Sequence, residues 1–588
     1  MKFSSLKKKA ATSALAALVT MALGSGSVFA AADMPTGGEI TTGSVTIGDN
    51  TFVNTGTSAI GALTNGATLM VNGNSIINWQ DFSIGKGNIL TINTASGALL
   101  NRVIGDNVSE LYGTLNQVGC NPLLLVNPNG ILVGAGATIN ASDLVLSTLA
   151  INDGEFLGAA GDPNFANGSN KIHFNQHFSF EPGDERTGIK FEKGAVVNFQ
   201  KPVDNLGKKT GDDGMFWVYG GSIEVADGVT FAVDTSELGK GQDGTYIAPD
   251  VEFIAADHIE HGVERTDRPH IMMEGYEGNI LNFGGKLSGA DKIHMLGHDV
   301  TISGEIIVPD TYDGDVSILG TEYAILQGND LHRFISWNHD ENNETYGTVN
   351  ITSTGKIIGA DTGIDVVGGK TTVAGQLKGH NVGLQAVKYY SNDPKDPYGG
   401  LNIKPANVLN IQSGARIEAV KSAGDETGDT GNVYLMGSAI NNAGTIIGNI
   451  TNAGNINNGS FTLDQVSLKD GKNKANEILS NNADFASQKD SFVALAEALN
   501  KTDKTMDEKI SMVAGIVMTI ADDKTIKDNY ALTHAVLSTF EGTKSDVEAS
   551  DNSVNVTATD KSASVEASAP DASAPIVADE VQDVTISE

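Results

Sequence analysis

The sequence predicts an all-β chain wound as a parallel β-helix, followed by a small α-helical module and a disordered acidic tail. Three observations carry this reading. Short Val/Ile/Leu/Thr runs punctuated by Gly, Asn and Asp fill Ile40 to Leu463 with little change of character. Within them a phrase recurs: Gly, one residue, then an aliphatic residue. It stands at Gly285-Lys286-Leu287, Gly304-Glu305-Ile306, Gly355-Lys356-Ile357 and Gly375-Gln376-Leu377. It returns, once with an extra residue, at Gly414-Ala415-Arg416-Ile417, Gly444-Thr445-Ile446 and Gly454-Asn455-Ile456. Copies follow one another at 19, 20 and 39 residues for the 285–304, 355–375 and 375–414 pairs. A step near 20 suits one coil of a β-solenoid, whose apolar face is buried only by stacking on its neighbours. Uninterrupted, that step gives some twenty coils and a rod on the order of 100 Å at ~4.8 Å per coil. A set of β-sandwiches is the alternative, and the lack of regular hairpin dipeptides disfavours it.

Composition agrees. With 588 residues the chain exceeds one compact core, and 69 glycines with only 6% aromatics suit many short strands and tight turns. The net charge of −34 comes without a focused basic patch, which argues against a nucleic-acid partner. A single cysteine, Cys120, permits no intramolecular disulfide, so ladder hydrogen bonds and stacked side chains must supply the stability.

Residues 1–30 read as a signal peptide for the general secretion machinery. Lys2, Lys7, Lys8 and Lys9 precede an apolar run, Ala10 to Leu23, that is too short to span a bilayer. Val28-Phe29-Ala30 then offers small residues for cleavage.

The densest text lies between Asn72 and Ile151. It holds Trp79-Gln80-Asp81-Phe82-Ser83-Ile84-Gly85, then Ala98-Leu99-Leu100-Asn101-Arg102-Val103-Ile104-Gly105 and Ser109-Glu110-Leu111-Tyr112-Gly113-Thr114-Leu115. Next come Leu124-Leu125-Val126-Asn127-Pro128-Asn129-Gly130-Ile131-Leu132-Val133-Gly134 and Asp143-Leu144-Val145-Leu146-Ser147-Thr148-Leu149. Asn127 to Gly130 is a turn between apolar strands. Pro128 presets φ, Asn127 can bond the backbone two residues on, and Gly130 closes it. Arg102 is a rare cation in apolar surroundings, and Asp106 and Glu110 are its expected partners.

Together and in this order these motifs resemble the amino-terminal secretion domain of the filamentous haemagglutinin family, also called the haemagglutination activity domain. The resemblance covers about 35–170. It implies a right-handed β-helix with an amino-terminal cap and an extra antiparallel hairpin. It also implies export by two-partner secretion, through an outer-membrane barrel transporter with periplasmic docking domains. Asn127, Pro128, Asn129, Gly130 and Ile131, with Asn101 and Arg102, become the secretion-motif residues. The Asn-Pro-Asn-Leu tetrapeptide that some members carry upstream does not occur here.

The expected organisation is a signal peptide at 1–30, a secretion domain at 31–170 and a continuing β-helix at 171–463. Lys388 to Gly399 and Gly424 to Gly431 are read as loops leaving the rod. From 464 to 542, aliphatic residues at helical spacing (Val493, Ala496, Leu499; Ile510, Val513, Val517, Ile520) predict three or four short helices. From 543 to 588, ten acidic and two basic residues without an aromatic predict disorder.

Chemistry is sparse. His258, Glu260, His261 and Glu264 with His270 form the best metal candidate, but His258 and His261 share a face only on a helix, and the text there reads as strand. Asp310, Asp313 and Asp315, and Asp425, Glu426 and Asp429, lack the ligand order of a calcium loop. The expectation is therefore no cofactor, no metal and no enzyme. The chain reads as a secreted or surface adhesin of an outer-membrane bacterium, contacting a host or bacterial glycan or protein. The alternatives are a cytolysin or growth-inhibiting toxin of the same secretion family and a β-helical polysaccharide-degrading enzyme.

Overall fold

The structure, a computed structural model, describes residues 33–54, 59–161, 171–179, 184–203, 206, 214–233, 249–264, 268–290, 292–309, 314–327, 333–337, 347–391, 401–405, 408–421, 431–436, 439–442 and 444–452. Beyond these it describes the short strands at 455–456, 459–460, 467–468, 547–548, 555–559 and 562–566. The signal-peptide reading of 1–30 lies outside the described residues.

The chain winds as a parallel β-helix with three faces. The first face stacks twelve parallel strands, from Ala67–Trp79 and Ile89–Asn93 to Arg416–Ala419 and Thr445–Ile447. The second face also has twelve, ending at Asn449–Asn452, because Ala67–Trp79 is long enough to serve both. Ten strands, Ser109–Leu111 to Ala439–Asn442, make the third. Counting Ala67–Trp79 as coil 1, Thr445–Ile447 belongs to coil 12. At ~4.8 Å per coil the rod is about 50 Å long, half the length expected, because insertions take up the remaining residues.

The Gly-x-aliphatic phrase marks one register. Leu287, Ile306, Ile357, Leu377, Ile417 and Ile446 stack on the first face in consecutive coils and are all buried. The last copy departs from this: Asn455–Ile456 pairs antiparallel with Gly459–Ser460 instead of adding a coil. Inside the rod, rings from all three faces interleave. Phe231 lies 5.3 Å from Phe191, 5.4 Å from Phe253 and 5.9 Å from both Phe216 and Phe283, centroid to centroid.

The amino-terminal end is capped. Strand Gly38–Ile47 runs antiparallel across coil 1, from Glu39 opposite Asn78 to Ile47 opposite Leu69, and itself forms a hairpin with Asn50–Val53. The cap and antiparallel hairpin implied by the resemblance are therefore present.

A second layer covers the outside of the second face. Six strands in the order Ala150–Ile151, Ile172–Asn175, His258–Glu264, Arg268–Glu274, Tyr323–Gln327 and Arg333–Trp337 form an antiparallel sheet. Helix α1, Asp153–Ala160, lies beside it. No helix was expected within 31–170, and this eight-residue stretch holds two glycines. Its support is local: the Asn152 side chain accepts from the Gly154 N–H at 2.8 Å, Asp153 and Glu155 sit at the positive end, and Phe156 and Ala159 are buried. Between layer and rod lies a second apolar core, with Leu100, Leu124, Val145, Trp217 and Tyr219 from the rod against Phe156, Phe174, Ile259 and Met273. Strands of the second face are accordingly buried on both sides, as in Met215–Gly220 and Asp315–Gly320.

The predicted loop from Lys388 instead begins in a hairpin, Asn381–Ser391 pairing antiparallel with Leu401–Pro405. Residues 392–400 and 424–430 lie outside the described residues, as does the helical module apart from Ser467–Leu468, which pairs with Val547–Glu548. In the tail expected to be disordered, Asn555–Thr559 pairs antiparallel with Ser562–Glu566. The β-branched Val556, Thr557, Thr559 and Val565 there favour an extended chain.

Phe231→Ala is expected to cost about 3–5 kcal/mol, since four neighbouring rings lose their contact at once. Urea unfolding of the variant against the parent checks this.

Candidate secretion site

The turn Asn127 to Gly130 carries coil 3 from its second to its third face. Asn127 is fully buried, and its Oδ1 accepts from the Asn129 backbone N–H at 2.9 Å, the bond that the Asn-Pro-Asn-Gly order leads one to expect. Its Nδ2 reaches down to coil 2, donating to the Asn107 carbonyl and to Ser109 Oγ, both at 2.9 Å. Asn129 Nδ2 donates to the Gly105 carbonyl at 2.7 Å. Gly130 has φ +124°, a conformation that L side chains rarely adopt. Ile131 then enters the rod core. The turn is thus a clasp between two coils.

Asn101 and Arg102 stand elsewhere and point apart. Asn101 faces inward, accepting from Trp79 Nε1 of coil 1 at 3.0 Å and donating to the Leu124 carbonyl of coil 3 at 3.3 Å. Arg102 faces outward. Neither expected partner meets it; it pairs with Asp153 of α1 at 2.5 Å and donates to the Ile151 carbonyl at 3.0 Å. Asp106 and Glu110 are near in sequence, but the chain turns a corner after Arg102: strand Leu99–Val103 lies on the second face, Asp106 in the bend, and Glu110 on strand Ser109–Leu111 of the third face. The seven residues therefore fall into three places, and each place ties one coil to another.

Sequence reading missed a polar cluster beneath the lateral sheet. Tyr219, Glu252, His261 and His294 are all buried within the second core. His261 Nε2 lies 2.5 Å from Tyr219 Oη and 3.1 Å from Glu252 Oε2, and the Tyr219 hydroxyl donates to the same carboxylate. His294 Nδ1 is 3.8 Å from Glu252 Oε1, and Trp217 stacks on His261 at 4.3 Å. Burial by itself raises the Glu252 pKa. The charge and hydrogen bond of His261, joined by His294, outweigh it and hold the carboxyl at about 2. Burial, reinforced by Glu252, pushes the Tyr219 phenol well above 10, so it remains a donor. The readable signal was the run Met215-Phe216-Trp217-Val218-Tyr219, too apolar for a strand with one wet side.

The candidate metal residues divide. On strand His258–Glu264, His261 points into the second core, whereas His258 and Glu260 face outward. There His173 lies 3.0 Å from Glu155 and 2.8 Å from Glu260, and stacks on His258 at 5.7 Å. Among the described residues, no three His, Cys, Asp or Glu side chains gather as metal ligands.

Comparison with known proteins places a family on this region. Residues 39–172 match the TPS secretion domain. Two curated sequences of Haemophilus influenzae, both named heme/hemopexin-binding protein, are 35% identical over 74 residues. That segment is 12% of this chain and 8% of theirs, so the match spans less than a tenth of those relatives. A crystal structure of the HMW1 secretion domain from Haemophilus influenzae superposes with a TM-score of 0.45 at 17% identity, covering 72% of this chain and 92% of that one.

Two outcomes are expected. Asn127→Ala, which strands the Asn107 carbonyl and Ser109 hydroxyl, should cost about 1–3 kcal/mol, and Asn127→Asp should lose the same two donations while keeping the turn. Both are read by urea unfolding. For Glu252, a folded pKa of about 2 against 4.5 means the stability it contributes is complete above about pH 4.5 and disappears as pH falls towards 2. That contribution is on the order of 3 kcal/mol, and stability against pH for the parent and Glu252→Gln should converge at the acid end.

Proposed function

From a chain that carries a TPS secretion domain at residues 39–172, and is thus an exoprotein exported through an outer-membrane transporter, we infer an adhesin held at or released from the cell surface. The observation that supports adhesion is the exposed first face. Thr91, Asn116, Asn140 and Asn198 stand in one register there, with amide bonds of 2.7 Å from Asn140 to Asn116 and 2.8 Å from Asn198 to Asn140. Further along the same face, Lys286 pairs with Glu305 at 2.9 Å. A rigid, periodic row of amides, hydroxyls and paired charges suits repeated contacts with a glycan or extended protein. The chain acts by binding, without an enzymatic step. Its partner at the outer membrane is a barrel whose periplasmic domains recognise the coil 1–4 block.

Export follows from coil stacking. A chain whose ladder is still open can thread a barrel, and each coil that closes outside opposes its return. Coil 1 provides the first template through Trp79, fully buried and bonded to Asn101.

Two experiments test this. With the transporter co-expressed, Trp79→Asp should sharply reduce the chain found outside the cell; release at the normal rate would remove the coil-driven account. On glycan and matrix-protein arrays, with heme and hemopexin included because two relatives bear those names, the released chain should bind a definite subset. Leakage from vesicles without any array signal would replace the adhesin with a toxin, and reducing ends released from a glycan would replace it with an enzyme.

A further inference from the structure

The lateral sheet draws its strands from alternate coils. Its three strand pairs leave the rod from coils 4, 6 and 8, after strands Asp143–Ser147, Asp250–Ala255 and Asp315–Gly320. Coils 5, 7 and 9 cross the same corner in a single residue: Gly220-Gly221-Ser222, Gly297-His298-Asp299 and Gly368-Gly369-Lys370. The alternation has a metric cause. Strands in any sheet are ~4.8 Å apart, so one pair of lateral strands spans the same length of axis as two coils. A pair from every coil would not fit.

The ladder therefore joins coils that do not touch within the rod. Ile172 to Asn175 of coil 4 pair with His261 to His258 of coil 6, and His270 to Glu274 of coil 6 pair with Gln327 to Tyr323 of coil 8. The intervening coils lie beneath these seams. On coil 5, Tyr219 packs on Phe174 from one side of the seam at 4.9 Å, and Trp217 on His261 from the other at 4.3 Å. On coil 7, Leu296 is buried in the same core as Met273 and Ala324.

We propose that coils 5 to 8 form two-coil locks, coil 6 with 5 and coil 8 with 7, so that the rod opens there two coils at a time. An ordinary solenoid couples nearest neighbours only, and its end coils leave singly. Here, removing coil 8 takes strand Tyr323–Gln327 with it and uncovers Leu296. Coil 7 loses its cover in the same event and follows. When the chain folds from its amino-terminal end, each even coil secures the odd coil before it.

Stretching the full chain in optical tweezers separates the two pictures. Joint release of coils 7 and 8, Lys286 to Gly355, should lengthen the chain by about 250 Å, against separate events of about 180 and 70 Å if the coils leave singly. Deleting 322–347 joins Gly320-Thr321 to Thr348, the same spacing as Gly297-His298-Asp299, and removes the coil 8 half of the seam. This deletion should convert the joint event into separate steps of about 70 Å for coil 7 and about 90 Å for the shortened coil 8. Ala324→Asp, which puts a charge in the seam and leaves the rod ladder intact, should split the event into steps of about 180 and 70 Å if the deletion does not fold. Separate events in the parent, or a joint event that survives both changes, would overturn the proposal.

Discussion

The whole molecule hangs on one spacing, the distance at which a parallel strand hydrogen-bonds to the next. No coil here can bury its inner row alone, so each depends on the register of the coil beneath. Leu287, Ile306, Ile357 and their successors show how strictly that register is kept. The same spacing rules the outer layer. Because both sheets share it, they can lie one over the other along several coils without slipping out of step, and the second face can be apolar on both sides.

Much of the rod was legible in the sequence and much of its clothing was not. The Gly-x-aliphatic phrase located one face of six successive coils, because a close turn followed by an inward aliphatic is a local requirement. The Asn127 turn was legible for the same reason. What failed was everything set by distance along the chain. Arg102 finds Asp153, 51 residues on, in an excursion from the rod that nothing local announces. The lateral strands carry the same alternation as rod strands, so residues such as His258 to Glu264 could be read as strand but not assigned to a layer. That error, with the cap and the other insertions, lengthened the apparent rod. α1 was invisible because its glycines deny it helical propensity, and it stands on its cap and its packing.

The motif residues make better physical sense once distributed. Asn127 clasps coil 3 to coil 2, Asn101 bridges coils 1 and 3 from within, and Arg102 ties coil 2 to the helix that coil 4 sends out. A buried amide of this kind is satisfied only when both neighbours stand in register, and it is costly otherwise. The first four coils are thus cross-stitched by polar groups; in the coils beyond, stacked apolar rows and the lateral sheet are joined by the buried cluster of Tyr219, Glu252, His261 and His294. The stitching residues Trp79, Asn101, Arg102, Asn127 and Asp153 all lie within the matched secretion domain.

The cap strand across coil 1 gives the assembly a direction. Gly38–Ile47 runs antiparallel and occupies the hydrogen bonds that coil 1 would otherwise present to another parallel strand. A solenoid with two bare ends can polymerise end to end into a fibre, since each end is a template for the other. With this end sealed, one copy cannot seat its last coil on another's first, and filaments cannot propagate through repeated head-to-tail contacts. A single antiparallel strand thereby separates a protein that builds a rod inside each molecule from one that would build it between molecules.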